Sequence, residues 1–189
     1  MKMKKLMLVC LVLAGGAFTQ VSAQAKYFTR DGNISFYSDA PLEKIEAHNS
    51  KAASVLDPAT GNIEFSVLMK GFEFEKALMQ EHFNENYVES TKFPKALFKG
   101  KVEDISKVDF TKDGVYPVKV SGDLTLHGVT RPVSTAGTIE IKDGKITAKS
   151  EFTILNQDYD IQIPKLVSEK VAKEVKILVD ISYQELGKS

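Results

Sequence analysis

The chain has 189 residues, with 25 Lys and Arg balanced by 25 Asp and Glu, one cysteine and no tryptophan. Without a basic excess it is not built to follow a phosphate backbone, so nucleic acid is excluded as the expected partner. A single cysteine rules out an internal disulfide framework, and the absence of repeats or low-complexity tracts leaves one domain with one core.

The N-terminus is a leader by its pattern. MKMKK is a short basic segment, Leu6 to Phe18 is an apolar run, and Val21-Ser22-Ala23 supplies small residues for cleavage after Ala23. The run is shorter than the ~20 residues of a membrane-spanning helix, so an integral membrane protein is not expected. Residues 1–23 are thus read as a cleaved signal peptide, residues 24–189 as one domain, and the destination as the periplasm or the exterior. Cys10 sits inside the apolar run and is lost with it. Loss of Lys2, Lys4 and Lys5 leaves the mature chain slightly acidic.

Most of the chain beyond Ala23 alternates with period two, the signature of half-buried strands. Short candidates are Asn33 to Ser38 and Glu43 to Lys51. From Gly61, Ile63, Phe65, Val67 and Met69 share one face, with Leu68 the one mismatch. FEFEKALMQEHFNENYV then breaks the period: it lacks Gly and Pro and places Met79, Phe83 and Tyr87 four residues apart, which predicts a helix over 75–87. Lys95 to Val102 resumes the strands.

The next strand places Val118, Val120, Gly122, Leu124 and Leu126 on one face and Lys119, Ser121, Asp123, Thr125 and His127 on a wet one. His127 therefore reads as a polar turn residue before Gly128, with Thr130-Arg131-Pro132 restarting the chain as the next strand. Val133, Gly137, Ile139 and Ile141 alternate up to Asp143-Gly144, a strong hairpin signal. Ile146, Ala148, Phe152 and Ile154 return, and Val175 to Gln184 forms the last strand. A short helical turn over 166–172 follows Pro164.

About eight amphipathic antiparallel strands and one helix predict an all-β fold, a barrel rather than a sandwich, because closure removes exposed edges. An eight-stranded barrel is either filled by side chains or holds one small ligand. Gly122, Gly137, Ala96 and Ala148 fall on inward positions, where they either leave room for a slender apolar guest or match the taper of a solid core. By parity, Phe65, Val67, Phe98, Leu124, Phe152, Ile154 and Ile181 face inward, with Leu78, Phe83 and Tyr87 of the helix closing one end and His82 placed to meet a head group.

Two segments, ESTKFPKALFKGKV (89–102) and GVYPVKVSGDLTLHGVTRPV (114–133), resemble the matching blocks of the YceI-like family, "sekFPkatFkg" and "GdLtlHGvTrpV". The resemblance implies a lipocalin-like barrel with a helix, exported to the periplasm, that holds an isoprenoid or other long-chain amphiphile. The family often carries Arg-Asp-x-His-Leu on its helix. Here the helix reads QEHFNENYV, in which His82-Phe83 corresponds to His-Leu and no arginine precedes it. If that arginine holds an anionic head group in relatives, a neutral or differently charged one is expected here.

The chemistry-bearing residues point the same way. The three histidines, His48, His82 and His127, show no metal-ligand spacing, and no GxSxG elbow or phosphate-cradling glycine loop is present. The reading is therefore a lipid-binding carrier or sequestering protein with no catalytic residue, cofactor or metal. Two alternatives stand beside it: a barrel hydrolase or isomerase using His82 and a carboxylate, and a solid-core module that binds a partner through its outer face. The sequence leaves a homodimer open.

Overall fold

The computed structural model describes residues 25–187. The expected leader, its cleavage site and Cys10 lie outside the described residues.

Among the described residues the strands are β1 (Tyr27–Asp39), β2 (Lys44–Leu56), β3 (Asn62–Leu68), β4 (Glu73–Phe74), β5 (Lys95–Val102), β6 (Gly114–Leu126), β7 (Val129–Lys142), β8 (Lys145–Leu155) and β9 (Glu174–Glu185), with one α-helix, α1 (Ala77–His82), between β4 and β5. All pair antiparallel in the order β1-β9-β8-β7-β6-β5-β3-β2, and β1 also pairs with β2. The sheet thus closes into an eight-stranded barrel, with the two-residue β4 lying against β2 at Ala47↔Phe74 and His48↔Glu73.

Local chemistry accounts for the turns. His127 and Gly128 (φ 51° and 77°) join β6 to β7, and Asp143 and Gly144 (φ 50° and 73°) join β7 to β8. Two residues at positive φ give the tight hairpin whose twist matches that of the flanking strands. The alternation read from the sequence therefore passes through each hairpin in register, and the β6–β7 ladder is unbroken from Gly114↔Ile141 to Leu126↔Val129.

The helix differs from its expectation. It starts at Ala77 rather than Glu75, because Glu73 and Phe74 are taken up by pairing with β2, and its regular part ends at His82. Residues Phe83–Tyr87 continue as a wider π-type turn. The expected turn after Pro164 is a single tight one, Lys165–Val167. No helix among the described residues is long and apolar enough to cross a membrane.

The interior has two apolar layers. A lower layer, including Leu56, Val102, Ile139, Ile141, Ile181 and Tyr183, packs one end of the barrel solid. An upper layer, including Val67, Met69, Phe72, Leu124, Ile154 and Tyr159, surrounds the other end. Phe65, Phe98 and Val179 touch both layers.

Candidate functional site

A cavity of about 520 Å³ lies within the upper layer. Leu56, Ile63, Val102 and Ile139 form its floor, so the solid lower layer closes that end. Its walls come from inward positions of the strands, since side chains two apart on a strand share a face. Polar side chains are few. Glu43, Lys76, His82 and Lys170 reach it at the mouth, between α1, the β1–β2 turn and the segment before β9.

The structure places Phe65, Val67, Phe98, Leu124, Phe152 and Ile154 on the cavity wall, and Leu78, His82, Phe83 and Tyr87 at the helix end of it. Ile181 is a correction. It faces inward as expected but is completely buried in the lower layer, where a Cβ on Gly32 would collide with its Cδ1. Inward parity says which side of the sheet a residue occupies, not how far along the barrel axis it sits.

The small inward residues divide in the same way. Ala96, Gly137 and Ala148 line the cavity. Gly122 stands opposite Gly100 across the β5–β6 ladder, and a Cβ there would meet the Gly100 Cα, the Lys99 carbonyl and, at 2.8 Å, the Phe98 ring. The space at Gly122 is therefore filled by Phe98 rather than left for a guest. Phe98 in turn meets Phe65 edge-on at 6.2 Å between ring centres.

Among the wall residues that escaped the sequence reading is an aromatic group. Phe36, Phe72 and Phe74 gather round Phe83, with ring centres 5.3, 5.7 and 5.1 Å from it. All four line the cavity. Offset and edge-on ring pairs at these separations stabilise beyond their area, about 0.5–1.5 kcal/mol each. For Phe72 and Phe74 the signal is Phe72-Glu73-Phe74-Glu75, a period-two pattern that runs without a breaker into the helical segment.

Near the mouth, Lys76 Nζ lies 3.1 Å from the Glu43 carboxylate. His82 is exposed and has no hydrogen-bond or ion-pair partner among the described residues. Burial pushes the Tyr87 hydroxyl on the cavity wall above its ordinary pKa. Deeper in, Ser38 Oγ accepts the Ala172 N–H at 2.9 Å, and buried Asn156 donates to the Ala172 carbonyl at 2.9 Å. These polar groups hold the segment before β9 against the barrel.

The other two histidines are apart from the cavity. His48, on β2, bonds Ser35 Oγ at 2.7 Å and faces Glu46 at 2.9 Å. His127 is a second correction: its side chain is only 11% exposed, not on a wet face. Its Nδ1 lies 3.0 Å from the Tyr159 carbonyl, its Nε2 2.8 Å from Glu89, and the Phe93 ring packs edge-on at 4.8 Å. The left-handed turn aims the ring sideways off the strand, so strand parity ends at Leu126. Among the described residues no three His, Cys, Asp or Glu side chains converge as metal ligands would.

The profile of the YceI-like domain matches residues 14–183. A polyisoprenoid binding domain from Saccharophagus degradans is similar in structure at 14% identity and a TM-score of 0.74, over 85% of this chain and 98% of that one. BcnA of Burkholderia cenocepacia is similar at 16% identity and 0.67, over 81% and 96%. The YCEI protein of Campylobacter jejuni is similar at 17% identity and 0.57, over 74% and 84%. No curated protein matches the chain.

Proposed function

This chain belongs to the YceI-like family, and from that premise we propose that it is an exported binding protein that holds a polyisoprenoid or other long-chain amphiphile in the barrel, as a carrier or sequestering protein without catalysis. The observation that carries the reading is the cavity itself: an interior of about 520 Å³, walled almost wholly by aliphatic and phenylalanine side chains and open at one rim with a few polar groups. Apolar walls supply affinity and a few polar groups set orientation.

The energetics are sufficient without chemistry. Each buried methylene is worth about 0.8 kcal/mol, so ten give roughly 8 kcal/mol before ordering costs, the scale of micromolar binding. The Saccharophagus neighbour is described as a polyisoprenoid binding domain, which supports the same ligand class here. Export rests on the leader pattern of residues 1–23. At the rim Lys76 and Glu43 pair with each other, while His82 and Lys170 have no side-chain partner among the described residues, which suits a head group rather than a nucleophile and base pair.

The test is recovery of the protein from its native host, followed by native mass spectrometry and solvent extraction. A co-purifying long-chain molecule is the expected result. A chain that arrives empty and also refuses added polyprenols and fatty acids overturns the reading.

A further inference from the structure

One seam of the barrel is only half made. The β7–β8 ladder runs from Lys142↔Lys145 to Gly137↔Ser150 and stops there. Beyond that point β7 stays paired with β6 as far as Val129, and β8 stays paired with β9 as far as Leu155. Each strand keeps its outer neighbour while the two part from each other, leaving a slot in the wall.

Side chains fix both ends of the slot. Where the ladder stops, Ser150 Oγ donates to the Ala136 carbonyl at 2.8 Å and Thr135 Oγ1 to the Glu151 carbonyl at 3.0 Å, two hydroxyls standing in for ladder bonds. At the far end the turn Asn156–Tyr159 bridges the gap. Arg131 Nε donates to the Asp158 carbonyl at 2.8 Å, and His127 holds the Tyr159 carbonyl. Val133, Thr135, Phe152 and Ile154 line the cavity inside and also the groove on the outer surface. Along a paired seam a hydrogen-bonded backbone divides interior from solvent; here the same four side chains line both sides.

The interior also has a limited capacity. The cavity of about 520 Å³ is closed below by the lower layer, so it takes a linear chain only up to a limited length. A longer chain must project somewhere, and the floor is solid. We infer that the slot between β7 and β8 is a second opening of the cavity, which holds the end of a linear hydrocarbon chain too long for the interior between Val133, Phe152 and Ile154. This rests on the lipid-binding reading above and adds to it a site for chain length.

The test compares farnesol, with three isoprene units, and octaprenol, with eight, as probes of the full chain. Ala136→Trp, which covers the slot from the outer groove at a position that does not line the cavity, is expected to weaken octaprenol at least tenfold and farnesol less than twofold. A second measurement leaves the wall intact: with Cys10 replaced by serine, Thr153→Cys at the outer groove carries a polarity-sensitive dye, whose emission shifts with octaprenol and not with farnesol. Equal losses for both probes, or a dye that responds to neither or to both alike, overturn the slot while lipid binding stands. Failure of the unsubstituted chain to bind either probe overturns this inference, while the lipid-binding reading is decided by the recovery experiment above.

Discussion

The Nε2 atom of His127 lies 2.8 Å from the Glu89 carboxylate, while its Nδ1 faces the Tyr159 carbonyl at 3.0 Å. A carbonyl only accepts, so Nδ1 carries a proton and the ring is held in one orientation. One imidazole thereby ties the β6–β7 turn to the segment before β5 and to the turn after β8, three pieces of chain at the upper end of the barrel.

That junction makes His127 a structural residue with a measurable cost of removal. His127 has φ of 51°, so glycine keeps the turn and deletes only the side chain. His127→Gly is expected to lower stability by about 1–3 kcal/mol, the cost of leaving a buried acceptor without its donor. Urea denaturation checks this, and a variant as stable as the parent removes the role assigned here.

Gly122 tests the packing of β5 against β6. A Cβ at this position collides with the backbone of Gly100 and Lys99, neither of which can swing away. Gly122→Ala should therefore cost about 1–3 kcal/mol, as overpacking does. It should also displace the Phe98 ring, readable as an altered near-ultraviolet spectrum. Native stability with an unchanged spectrum would contradict this packing.

Ala96 tests the cavity. It lies on the wall, paired across the ladder with Val67, and a larger side chain there enters open space instead of a packed layer. Ala96→Phe is expected to reduce binding of a long-chain ligand at least tenfold, about 1.4 kcal/mol or more, while the thermal midpoint moves little. Titration with a fluorescent fatty acid reads the first quantity and circular dichroism the second. Undiminished binding would place the ligand elsewhere.

Tyr183 gives the pH dependence. It is buried in the lower layer, 2.8 Å from Ser54 Oγ, and burial pushes its hydroxyl well above the tyrosine range, partly opposed by that hydrogen bond. In the unfolded chain the group loses its proton near pH 10. Above that pH the unfolded state binds fewer protons than the folded one, so the contribution is fully present below about pH 10 and is lost as pH rises further. Urea midpoints between about pH 8 and pH 11 should fall less steeply for Tyr183→Phe than for the parent. Burial raises Tyr87 and Tyr159 as well, so some slope remains. Parallel slopes for parent and variant would clear Tyr183 as a source.

The sequence by itself determined most of the strands and which face of each turns inward, because alternation with period two is a local property that each segment carries. It also marked ten residues that the structure sets on the cavity wall, from Phe65 on β3 to Tyr87 beside α1. What the tertiary structure alone decided was depth and neighbourhood. Ile154 and Ile181 share the same inward character, yet one lines the cavity and the other lies under its floor, because height along the barrel axis depends on strand tilt and register between distant segments. The same distinction separates Ala96, beside open space, from Gly122, under the Phe98 ring. It also took His127 off the wet face, since the partners that bury it, Glu89 and Tyr159, stand 38 and 32 residues away in the chain. Period two says which side of a strand faces in; only the closed barrel says what is waiting there.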